Sequence, residues 1–64
     1  MAYRVKEFRK KRKMSQAELS EKSGVSRAII VRLEDEETEF VTTTSTLQRI
    51  ANALDTKVSD IFLG

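Results

Sequence analysis

Gly24 is the only internal glycine in a chain that contains no proline. Glycine enters the left-handed backbone region without a Cβ penalty. One helix break is therefore expected at Gly24, and nothing else in the chain forbids helix outright. The flanking residues carry helix signals. Ser15 precedes "QAEL", with Glu18 three positions on, the pattern of a capping box. Ala17 and Leu19 are expected to give this second helix its apolar contacts. Ser26 is an N-cap candidate for a third helix, "RAIIVRLE". A first helix is expected over about 3–13, with Val5, Phe8 and the stem of Arg12 on one face. A fourth begins at "STLQ", where Ser45 and Gln48 match a capping box, and carries Leu47, Ile50, Ala51 and Leu54 as its apolar stripe. A short fifth helix, "VSDIFL", closes the chain. The expected fold class is all-α, a compact set of short helices in one domain over residues 1–64.

At 64 residues, such a domain buries about 60% of its unfolded surface. It needs close helix packing, a covalent or metal staple, or a partner. Without Cys there is neither a disulfide nor a thiolate metal site, and without His the commonest general base and metal ligand is missing. No cofactor and no metal are expected. No apolar run approaches the roughly 18 residues of a membrane span, and the N-terminus has no apolar signal core. A cytoplasmic protein with no membrane partner is the expectation. The remaining carboxylates, hydroxyls, Tyr and Lys form no recognisable catalytic set, so no enzyme is expected.

The net charge of +2 conceals a division. Residues 1–32 hold ten Lys/Arg and three acids, and residues 33–64 hold two bases and seven acids. That layout favours an oriented approach to a polyanion. The run Lys10 to Lys13 is open to two readings, general attraction to phosphates or a basic helix end that complements the helix dipole.

The third helix concentrates the chemistry. At about 100° per residue, Ile30 and Leu33 share one face, Ala28 and Val31 point the other way, and Arg27 and Arg32 flank them. The outward face thus presents two guanidinium forks around a small apolar patch. Arg binds guanine O6 and N7 bidentately, and Ala or Val can touch a thymine methyl. A short helix, a Gly-containing turn and a second helix with such a face form the helix-turn-helix arrangement.

At this point "QAELSEKSGVSRAIIVRLE" resembles the helix-turn-helix of the lambda-repressor/Cro-like group, the XRE family. "LQRIANALDTKVSDIFLG" is similar to that family's fourth and fifth helices. The resemblance implies a five-helix, lambda-repressor-like DNA-binding domain acting as a bacterial or phage transcriptional regulator, typically a repressor. Its recognition helix, about 26–34, would lie in the major groove of double-stranded DNA. Arg27, Ala28, Val31 and Arg32 would face bases. Gln16 and Ser26 would contact the backbone. Thr43, Thr44 and Ser45 are further backbone candidates, since hydroxyls and free N–H groups at a helix start suit an anion; ordinary capping is the alternative. Arg9 and Glu34 would form the family's structural ion pair. The operator would be palindromic, read by a homodimer joined through the C-terminal helices, with Ile61, Phe62 and Leu63 at the interface.

The sequence also departs from the pattern. Ser23 stands where an apolar residue is usual. Ile29 is apolar where polar residues are common, so it either covers the core edge or meets a partner. No Gly follows Asp35, and the loop to the fourth helix is longer and acidic. Asp35, Glu36, Glu37 and Glu39 lack Ca²⁺-loop spacing and read as a solvated loop. Phe40 and Val41 are expected to tuck under the fourth helix; exposed, they would mark an interface. The rival to DNA binding is a protein-interaction module on the same fold, an antitoxin-like or anti-repressor partner, binding through Ile29, Phe40 and the acidic loop.

Overall fold

In the computed structural model, which describes residues 3–35 and 41–62, the elements are α1 (Val5–Lys11), α2 (Gln16–Ser23), α3 (Arg27–Glu34), α4 (Thr44–Ala53) and α5 (Val58–Ile61). No strand occurs among the described residues. Residues 36–40, and with them the expectations for Phe40 and most of the acidic loop, lie outside the described residues, as does Leu63.

The helices α2, α3 and α4 each start where a side chain satisfies a free backbone N–H. Ser15 Oγ accepts from the Glu18 N–H (3.0 Å) and Ser26 Oγ from the Ile29 N–H (3.3 Å). For α4 the cap is Thr43, whose Oγ1 accepts from the Thr46 N–H (3.2 Å), so the expectation of a Ser45 cap is corrected by two residues. The sequence offers consecutive hydroxyls here, and the backbone turns helical at Thr44. Gly24 ends α2 at φ 72°, its N–H donating to Ser20 O (3.0 Å). A Cβ there would meet only Arg49 Nη1 at 3.8 Å, so backbone conformation and not space demands the glycine.

Val5, Leu19, Ile30, Ile50, Leu54 and Ile61 are fully buried and form the centre of the core. Full burial of an aliphatic side chain of this kind contributes about 1.5–3 kcal/mol. The core joins α2 to both α3 and α4 and holds α1 against α3. Ile29 and Phe8 pack along its edge. Ser23 is buried without loosening the turn, because its Oγ accepts from the Val25 N–H (3.2 Å). Ser20 Oγ donates to Val25 O (2.7 Å), closing the α2–α3 corner from the other side.

Further expectations are corrected. The first helix begins at Val5, since Tyr3 pairs with Phe62 in an isolated antiparallel bridge and Arg4 N–H donates to Ile61 O (2.7 Å). It ends at Lys11, and Lys13 turns to φ 55°. Ala17 is exposed, so Leu19 alone carries the apolar face there. Val41 is 85% exposed and does not tuck under α4. The fifth helix stops at Ile61, whose side chain is fully buried and unavailable to an interface.

Candidate nucleic-acid interface

The eight residues of α3 divide as their spacing dictates. Ile30 and Leu33 face the core, while Arg27, Ala28, Val31 and Arg32 are all exposed. Val31 keeps 45% of its surface in water. An apolar side chain held outward between two arginines on a rigid helix is a surface with shape and charge but no hydrophobic partner of its own. Ala28 and Val31 are small, so the apolar part of this exposed face adds little bulk to the helix.

An ion pair fixes this helix. Arg9 Nε donates to Glu34 Oε2 (2.8 Å) and Arg9 Nη2 to Glu34 Oε1 (3.0 Å), a two-pronged pairing. The side chains retain 12% and 5% of their exposure. Arg9 Nη1 also donates to Met14 O (2.8 Å), the carbonyl just before the α2 cap. Hydrogen bonding to Glu34 raises the Arg9 pKa above its ordinary value, against the lowering effect of burial. The pair therefore ties the C-terminal end of α3 to α1 and to the α1–α2 turn.

Gln16 opens α2 and is partly buried. Its Nε2 donates to Glu34 Oε1 (3.2 Å), so it belongs to the same cluster as Arg9 and Glu34. Ser26 is exposed at the start of α3; its Oγ accepts the capping bond and still carries a proton to donate. Thr43, Thr44 and Ser45 are exposed at the start of α4, but Thr43 Oγ1 both accepts from the Thr46 N–H and donates to Thr46 Oγ1 (3.0 Å). Its hydroxyl is committed to capping, and the Thr44 and Ser45 hydroxyls remain outward.

The basic run at the end of α1 also splits. Arg12 Nε donates to Leu54 O (2.9 Å) and its Nη2 to Asp55 O (3.4 Å). This guanidinium caps the carbonyl end of α4, where a cation also complements the helix dipole. Lys11 Nζ sits 5.1 Å from the centroid of the Phe8 ring. Lys10 and Lys13 are exposed. The role of Arg12 could not be read from the chain, because backbone carbonyls leave no mark in a sequence.

Among the described residues there is no group of three or more acids that could hold a metal ion, and no helix long and apolar enough to cross a membrane. Searches of curated proteins and of solved structures return no match. The family model described as Helix-turn-helix matches residues 5–61, all five helices. The chain therefore belongs to the helix-turn-helix family of the XRE, Cro/C1 type, a family of DNA-binding regulators.

Proposed function

We propose that this protein binds double-stranded DNA sequence-specifically as a small bacterial or phage transcriptional regulator, with α3 in the major groove. The observation that carries this reading is the outward face of α3: Arg27, Ala28, Val31 and Arg32 exposed together, backed by buried Ile30 and Leu33. Arg27 and Arg32 read guanine edges, each good bidentate contact discriminating by about 1–3 kcal/mol. Ala28 and Val31 contact thymine methyls. Gln16, Ser26, Thr44 and Ser45 donate to backbone phosphates, with Thr43 contributing by shaping the α4 start. We assign the protein no catalytic role and a cytoplasmic site of action, where its DNA is.

One α3 spans few base pairs, so we infer a homodimer on a palindromic operator. Its half-sites would lie about 34–36 Å apart, one helical turn. Among the described residues of the C-terminal end, Phe62, 47% exposed against Tyr3, is the apolar group left for that contact once Ile61 is assigned to the core. Selection of bound sequences from a random duplex pool tests the function. The expected outcome is a palindromic consensus; recovery of unselected sequence would refute it. Sedimentation of protein with and without the selected duplex tests the dimer, and monomer in both would remove it.

The rival, a protein-interaction module, draws on the 85% exposure of Val41. A salt titration separates the two. A DNA binder loses affinity steeply, with a slope of about −0.9 per phosphate neutralised. Absence of duplex binding even at low salt favours the module.

A further inference from the structure

Glu34 has one more bond than an ion pair needs. Its two carboxylate oxygens receive Arg9 on α1, and Oε1 in addition receives the Gln16 amide from the first residue of α2. With 5% of its side chain exposed, Glu34 has almost no surface for a ligand of its own. Gln16 is half-buried. Its amide has two N–H groups and a carbonyl oxygen, and the bond to Glu34 uses one N–H. That bond fixes the orientation of the amide plane and so the direction of its second N–H. A side chain of this length, left free, loses rotamer entropy when a ligand immobilises it. Held in advance, it loses less on binding.

We propose that Glu34 is a positioning residue for DNA binding: anchored by Arg9, it orients the Gln16 amide for a phosphate contact that Glu34 does not itself make. This inference rests on the reading of Gln16 as a backbone-contacting residue. The cluster then links three elements to one function. Arg9 neutralises a carboxylate that would otherwise repel a phosphate, Glu34 transmits the position of α3 to the start of α2, and Gln16 presents the result. The end of the recognition helix and the phosphate anchor are set in register by a single carboxylate.

The test is a double-mutant cycle on duplex affinity, with the duplex selected by the native chain as probe. The variants are Gln16→Ala, Glu34→Gln and the pair, measured below the melting temperature of each. In the Glu34 background, Gln16→Ala should weaken binding about ten- to 150-fold, the size of one charge-assisted hydrogen bond. In the Glu34→Gln background the same change should cost about twofold or less. Equal losses in both backgrounds would show that Glu34 acts on the fold alone and would overturn the proposal. No loss from Gln16→Ala in the native background, with binding otherwise intact, would overturn it too. Failure of the native chain to select any duplex would instead refute the DNA reading beneath it. If Glu34→Gln does not fold, Glu34→Asp takes its place. It keeps the charge for Arg9 but draws the carboxylate back by one methylene from Gln16, and the same non-additivity is expected.

Discussion

Replacing Arg9 by Ala should remove a large part of the stability of the fold. Glu34 is 95% enclosed, its side chain retaining 5% exposure, and after the change it would keep only the Gln16 amide as donor. Removing one partner of a buried pair costs about 3–5 kcal/mol. Arg9 itself retains 12% exposure, so water reaches part of the pair and the lower end of that range applies. The bond to Met14 O is lost as well, though it is not additive with the rest because one guanidinium makes all three bonds. A chain of 64 residues has a total stability of about 3–10 kcal/mol at 0.05–0.15 kcal/mol per residue. A loss of about 3 kcal/mol is then a third or more of the whole. At about 4–8 °C per kcal/mol for a domain of this size, the melting temperature should fall by about 12–24 °C. Circular dichroism at 222 nm against temperature and urea measures both quantities. The double change Arg9→Met with Glu34→Leu should recover most of the loss, since apolar isosteres avoid the stranded charge. A loss below about 1 kcal/mol for Arg9→Ala, the value of a solvated pair, would refute the reasoning.

Other outcomes follow from particular residues. Lys13 holds φ 55°, a conformation costing a non-glycine residue about 1–2 kcal/mol. Lys13→Gly should therefore raise stability by about 0.5–1 kcal/mol after the greater unfolded-state entropy of glycine is subtracted; a lower melting temperature would contradict this. Asp60 accepts from the Thr56 hydroxyl (2.7 Å) and the Lys57 N–H (3.1 Å), which together lower its pKa, the Thr56 bond most. Its folded value lies below its unfolded one, so its contribution is complete above about pH 4 and is lost as the pH falls through the folded value. Asp60→Asn should flatten that part of the acid side of the stability profile, and an unchanged profile would count against it. Changing Asp35, Glu36, Glu37 and Glu39 to Asn or Gln should raise affinity for random duplex by removing repulsion, measured by fluorescence anisotropy. A fall in affinity would give that segment a positive role in binding.

Most of the helical plan could be read from residue spacing. The two faces of α3 followed from the positions of Ile30 and Leu33, because a helix that buries one stripe must expose the other. Gly24 marked the turn, since the backbone there takes φ 72° and side chains oppose it. The ends of the chain were less legible. Tyr3 leaves α1 because its partner is Phe62, near the other terminus, and the local pattern of residues 3–13 contains no trace of that pairing. Arg12 reads in the sequence as a stem on the Val5–Phe8 face and as a cation in a basic run, whereas its guanidinium donates to carbonyls 42 and 43 positions away. Among the site residues, Gln16 was assigned a role by resemblance, but its bond to Glu34 depends on how α2 and α3 cross. Ser45 is the better cap in isolation, yet the helix starts at Thr44 with Thr43 as its cap and Leu47 and Ile50 in the core.

The central claim is that the outward face of α3 reads bases, and Arg27→Ala on the selected duplex tests it most directly. Affinities of native and Arg27→Ala protein should be compared on the consensus duplex and on duplexes with each guanine replaced in turn. The variant should lose about 1–3 kcal/mol on the consensus, about five- to 150-fold in Kd. It should lose almost nothing more on the duplex altered at the guanine that Arg27 contacts. A uniform loss on every duplex would mean that Arg27 serves only the phosphates, and the account of α3 as a base-reading surface would be wrong.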